Sequence, residues 1–279
     1  MVLQWIKLFA VAVFDRLAPF RRNQFRGDYA NWDIAALACR EGYAHQSIFE
    51  KVKHATQDVI DGRAVFERDS VTFHHEEYNW PLLTILWQEA RDRGRPVTVM
   101  DFGGALGSTY FQNRKLLQRL NGLRWCVIEQ PHYVACGREK FETECLRFYS
   151  SVSECLSHEK VNVALFSSVL AYLPNPWQVL SEVARAGIST VFIDETQVLD
   201  HGEKDRIVIQ SVPSYIYKAR YPMRFFTAKS LLRGLIPKYE CDVVFGGFGV
   251  PSVLLSPLQI ARYKGFVLRK QETGTFPES

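Results

Sequence analysis

With 279 residues, 47% hydrophobic and 23% charged, the chain can bury a full core and shows none of the bias of a disordered, collagenous or coiled-coil protein. Its net charge of +4 resides in the first 26 residues, where five basic residues meet only Asp15, so the remaining body is neutral and lacks the basic excess of a nucleic-acid reader. Six cysteines, none in a C-x-x-C pair, read as free thiols in a reducing compartment, not as a disulfide framework.

Residues 1–26 form a basic amphipathic segment. Its unbroken apolar run, Leu8 to Phe14, falls short of the roughly 20 residues that cross a bilayer. Lys7 lies inside the apolar part and the stronger charge follows it, the reverse of a secretory signal. Three readings stay open: a helix docked on the protein's own core, a helix resting on an anionic membrane surface, which places a cytoplasmic protein peripherally on the inner face of the membrane, and a signal or anchor. Residues 27–95 read as a helical cap. "NWDIAALACREGY" opens on an Asn/Asp cap signal, "QSIFEKVKHATQDVIDG" spaces Ile48, Val52, Ala55 and Val59 on one face, and "NWPLLTILWQEARDRG" sets Pro81 early and Gly94 last.

From residue 96 to 270 the rhythm changes to apolar runs alternating with amphipathic stretches. "VTVMDF", "LRWCVIEQ", "LRFYS", "VNVALFSS" and "STVFIDET" read as five buried strands, with helices over "STYFQNRKLLQRLNG", "HYVACGREKFE" and "PWQVLSEVARAG". The pattern predicts an α/β fold with a parallel sheet covered on both faces. "TAKSLLRGL" predicts a short helix capped by Thr227, and "CDVVFGGFG" and "YKGFVLRK" an antiparallel pair closing the sheet. Residues 271–279 read as a frayed tail.

The chemistry concentrates at "VTVMDFGGALGSTY" (97–110). Here a strand ends in an acid, Asp101, and a turn with Gly103, Gly104 and Gly107 follows, where backbone can approach a ligand with no Cβ between. Glu129, 22 residues past Gly107 at the end of the second strand, is placed to accept both hydroxyls of a ribose. Two cofactors compete for this turn. A dinucleotide fingerprint ending on Gly104 and Gly107 would need glycine where Phe102 stands. S-adenosylmethionine has no phosphate and carries a cationic amino group and a sulfonium, both suited to an acid such as Asp101, so the charges favour it.

The runs "DFGGALGSTY", "WCVIEQP", "LFSSVLAYLPNP" and "VFIDET" resemble the class I S-adenosylmethionine-dependent methyltransferases. With "GDYANWDIAAL", "GYAHQSIFEKV", "GRAVFERDSVTF" and "RYPMRFF", the likeness extends over roughly residues 27–255, to an uncharacterised methyltransferase family often found in gene neighbourhoods for surface polysaccharides. The resemblance implies a Rossmann-like seven-stranded methyltransferase sheet with helices on both faces, an N-terminal helical cap and a C-terminal antiparallel hairpin. It implies that Asp101, Gly103, Gly104 and Gly107 line the methionine part of the cofactor, that Glu129 holds the ribose, and that Ser167, Ser168 and Val169 stand near the adenosine–methyl end. It further implies a glycan or glycan-precursor acceptor, small or lipid-linked, methylated on oxygen. The chain departs from the common D-x-G-x-G-x-G pattern: Ala105 stands at the middle glycine.

Methyl transfer needs the acceptor held in line, and a hydroxyl acceptor needs a base. Candidates are Asp194, with Glu195, at the end of the fifth strand, Tyr172 in "SSVLAYLPNP", and His132 just past Glu129, which could instead stack on adenine. Arg68 and Asp69 could clamp the cap as an ion pair or touch the acceptor. Lys218, Arg220 and Arg224, interleaved with aromatics in "PSYIYKARYPMRFF", suit a sugar carrying phosphate. His74, His75, Glu76 and Glu77 are sequence neighbours whose side chains point to opposite faces, a poor metal chelate. A nicotinamide-dependent oxidoreductase and a non-catalytic partner subunit with the methyltransferase fold remain the alternatives.

Overall fold

The structure, a computed structural model, describes residues 24–39, 46–213, 216, 219–247, 252–256 and 259–271. The expectations for residues 1–23 and for the tail from 272 lie outside the described residues. Residues 24–26 begin a strand, β1 (Gln24–Tyr29). The cap then follows its sequence signals. Asn31 caps the Trp32–Leu37 helix through its side chain, and the Gln46–Ile60 helix buries the face carrying Ile48, Val52, Ala55 and Val59. Asn79 caps the Trp80–Arg93 helix, which ends on left-handed Gly94.

One part of the cap is not helical. Between the second and third helices the chain forms a hairpin, β2 (Phe66–Arg68) with β3 (Val71–Phe73). Asp69 and Ser70 both take positive φ, the geometry of a two-residue hairpin turn that matches strand twist.

The five apolar runs become parallel strands: β4 (Thr98–Phe102), β5 (Arg124–Ile128), β6 (Leu146–Tyr149), β7 (Val163–Ser167) and β8 (Thr190–Leu199). Two strands absent from the sequence reading follow, β9 (Arg206–Ser211) and β10 (Arg220–Phe225), which join β1 in a separate antiparallel sheet. Then come β11 (Tyr239–Gly246), β12 (Ser252–Ser256) and β13 (Gln259–Lys270). The main sheet has the order β11-β13-β8-β7-β4-β5-β6, the expected seven-strand path, and β12 pairs on β13 as an eighth strand. The C-terminal pair runs antiparallel, as expected.

Successive residues of a strand face opposite sides, and the two faces bury separate cores. Val99, Trp125 and Val127 pack under the Gln46–Ile60, Trp80–Arg93, Ser108–Leu117 and Pro131–Lys140 helices. Met100, Cys126 and Ile128 pack under the Val152–His158, Pro176–Ala186 and Ala228–Leu232 helices. The architecture is thus a Rossmann-like α/β fold. Its strand order reverses at β4, which has β5 on one side and β7 on the other, so the crevice for a ligand lies beyond the carboxyl ends of β4 and β7.

Candidate functional site

A cavity of about 920 Å³ opens at that reversal, near the top of the roughly 300–1,000 Å³ range of ligand pockets. The hairpin, the tips of β4, β5 and β7, the middle of β8, and residues of β9, β10 and β13 wall it. β8 does not end at Asp194 and Glu195 as expected; it runs on past them to Leu199.

At its floor the glycine turn follows β4. Gly103 holds φ +76°, and a Cβ there would sit 2.5 Å from Val169 Cγ2. A Cβ on Gly104 would fall 2.5 Å from Asp101 Oδ2, so the turn lies directly against that carboxylate. Asp101 is 1% exposed and accepts a hydrogen bond from Trp125 Nε1 at 2.9 Å. Burial pushes its carboxyl up to about 7; the Trp125 bond opposes the shift and neighbouring Glu129 adds to it. Glu129 follows β5. It accepts hydrogen bonds from the backbone N–H groups of Gln130, at 2.7 Å, and Ala105, yet burial still pushes it up to about 7. Gly107, with φ +97°, opens the Ser108–Leu117 helix but is not among the residues lining the cavity.

Asp101, Gly103, Gly104, Glu129, Ser167 and Ser168 are therefore brought together on one wall system, with Asp194 and Tyr172 facing the same space. Asp194 Oδ2 accepts a bond of 2.6 Å from Asn79 Nδ2, and its Oδ1 accepts from the Glu195 N–H at 2.7 Å. Burial and the nearby Glu195 charge push it up to about 6. Tyr172 stands edge-on to Tyr221 with ring centres 5.3 Å apart.

Three expectations are corrected. His132 does not line the cavity: its ring packs edge-on against Phe49, with centres 5.0 Å apart. Arg68 pairs at 3.0 Å with Glu77, not with Asp69. Arg224 turns away from the cavity, 4.9 Å from the Trp177 ring, 3.7 Å from Asp205 and donating to the Pro174 carbonyl. Of the segment expected to hold a phosphate, the described residues that line the cavity are Ile216 and Tyr221; Lys218 lies outside the described residues.

Sequence reasoning did not single out Glu67, Gln197, Gln210 or Tyr263, all of which line the cavity. Glu67 is 2% exposed, accepts from the Ser108 hydroxyl and the Ser70 N–H, and is pushed by burial up to about 7. No local signal marks it: Phe66 and Glu67 are both buried and only Arg68 is exposed, so the short strand shows no alternation that could have singled it out. Gln210 and Tyr263 sit on strands whose placement only the tertiary fold decides.

No family model and no curated protein matches this sequence. Several solved structures are similar to it at low identity. The N-terminal domain of EvdMO1 with SAH bound is 12% identical, with a TM-score of 0.48, over 81% of this chain and 97% of that one. The [4+2]-cyclase SpnF is 13% identical, with a TM-score of 0.46, over 80% and 94%. The glycopeptide N-methyltransferase MtfA, complexed with (S)-adenosyl-L-methionine, is 9% identical, with a TM-score of 0.45, over 68% and 94%.

Proposed function

We propose that the chain is an S-adenosylmethionine-dependent methyltransferase that methylates a hydroxyl of a polyhydroxylated acceptor, a glycan or glycan precursor. The observation that carries the cofactor is the pair Asp101 and Glu129 at the tips of adjacent parallel strands, beside a turn whose glycines leave no room for a Cβ. One carboxylate suits the amino group of the methionine part and the other the ribose hydroxyls. Both are held in a cavity that burial has already made costly for uncompensated charge, so a ligand bringing a cation and hydroxyl donors is the complement of this wall. Phe102, where a dinucleotide turn needs glycine, opposes the nicotinamide reading.

When bound, S-adenosylmethionine supplies a methyl group on a positively charged sulfur. The chain's own residues then position and deprotonate the acceptor. Asp194 faces the cavity with both oxygens held, so its orientation is fixed, and a carboxyl near 6 takes up a hydroxyl proton far more readily than an ordinary aspartate. Tyr172 and Tyr221 offer ring surface against which an acceptor can pack.

Calorimetric titration of the protein with S-adenosylhomocysteine, NAD and NADP tests the reading. Binding of the first alone is expected; saturable binding of a dinucleotide with none of the adenosyl compound overturns it.

A further inference from the structure

The described lining of the cavity carries eight carboxylates and one guanidinium, that of Arg68, which is already engaged by Glu77. Asp101 and Glu129 serve the adenosyl site proposed above. The others do not form a single ring. Asp69 on the hairpin and Glu195 beyond the middle of β8 both act electrostatically on the Tyr263 hydroxyl, and Glu195 and Arg68 both act on Asp194, so hairpin, β8 and β13 converge on one acidic corner.

A second, independent feature points the same way. Gln197 and Gln210, 1% and 3% exposed, line the same cavity; the Gln197 side chain bonds to Tyr263, and the buried carboxamide oxygens of both residues have no hydrogen-bond partner. A buried acceptor left unmatched costs about 1–3 kcal/mol, so natural structures seldom keep one without a reason. Carboxylates and carboxamide oxygens share one requirement: they want donors.

Resting on the methyltransferase reading, we propose that this corner is a subsite for a protonated amine carried by the acceptor. Asp69 and Glu195 face the ammonium, the Gln197 carboxamide oxygen accepts from a neighbouring donor, and the Tyr263 ring closes the side. The corner thereby selects an amine-bearing polyhydroxylated molecule. It disfavours one carrying phosphate, because an anion placed among these carboxylates meets like charge, and the one cation among the described lining residues, Arg68, is held by Glu77 and already acts on Asp69 and Asp194. This reverses the specificity that the basic residues of 213–226 suggest in sequence.

The test is calorimetric titration of the protein saturated with S-adenosylhomocysteine, using glucosamine, glucose and glucose 6-phosphate as matched probes. Glucosamine is expected to bind at least about tenfold more tightly than glucose, and glucose 6-phosphate more weakly than either. Asp69→Asn keeps a residue that tolerates the left-handed turn, so the hairpin survives. It is expected to reduce glucosamine affinity about tenfold and leave S-adenosylhomocysteine affinity unchanged. Equal binding of glucose, preferred binding of the phosphate, or no glucosamine binding overturns the subsite. The series is repeated without S-adenosylhomocysteine. Failure of that compound to bind counts against the cofactor alone, while amine selectivity is still read.

Discussion

Ala105, Ser168 and Glu195 hold φ values of 51°, 55° and 46°, and each lines the cavity. Non-glycine residues in left-handed backbone cost on the order of 1–3 kcal/mol and persist where the surroundings over-determine them. Ala105 follows β4 and Ser168 follows β7, while Glu195 interrupts β8 at the height where β7 ends, so the strained residues ring the ligand crevice. Gly103 is the more demanding position. Gly103→Ala adds strain at φ +76° and places a methyl 2.5 Å from Val169 Cγ2. The turn must shift, so S-adenosylhomocysteine binding in calorimetry should be lost, and Gly103→Ala/Val169→Ala should recover it only in part, because the backbone strain remains. Glu129→Gln tests the ribose contact without changing shape. Loss of a charge-assisted hydrogen bond predicts an affinity weaker by about 1.5–3 kcal/mol, near tenfold to a hundredfold. An unchanged affinity would remove Glu129 from the site.

At the scale of elements, the five parallel strands and the helices Gln46–Ile60 and Trp80–Arg93 were legible because each carries its own local signal, an unbroken apolar run or a 3.6-residue stripe with caps. β1, β9 and β10 were not. Their residues are mixed in polarity; β10 pairs with β9 close by in the chain, but β1 pairs with β9 across about 180 residues, which no local window contains. The Val152–His158 helix was missed for its length, seven residues capped by Ser151. The turn of the site was legible for the same local reasons as its strand, whereas Gln197 and Tyr263 reach the cavity by pairing with each other across two distant strands, and Glu67, on a local hairpin, by that hairpin's docking on the Ser108–Leu117 helix. Elements also depend on polar links hidden from sequence. Glu89 on the Trp80–Arg93 helix is 3% exposed; it contacts Arg269 of β13 and accepts from Thr190 Oγ1 of β8 at 2.6 Å. Arg269→Met leaves that carboxylate buried without its cation and should cost on the order of 3 kcal/mol in urea unfolding, while Arg269→Met/Glu89→Met should restore most of the loss.

Across the whole molecule, the cavity carboxylates couple folding to pH. Asp101, Glu129 and Glu67 are pushed up to about 7 and Asp194 to about 6, chiefly by burial, whereas unfolded carboxyls titrate near 4. Between those values the folded chain holds protons that the unfolded chain has released, so these groups contribute stability that is present at low pH and lost as pH rises through 6 to 7. A ligand that brings an ammonium and a diol reverses the preference of Asp101 and Glu129, because it binds their ionised forms. Unliganded protein should therefore melt at a lower temperature at pH 8 than at pH 5.5. The upward shift given by saturating S-adenosylhomocysteine should be larger at pH 8, and its affinity should rise with pH and level off above about 7. Differential scanning fluorimetry across that range reads both trends. A shift that is constant, or larger in acid, would mean that the two carboxylates do not meet the ligand as charged groups, and the cavity's acidity would then need another explanation than cation binding.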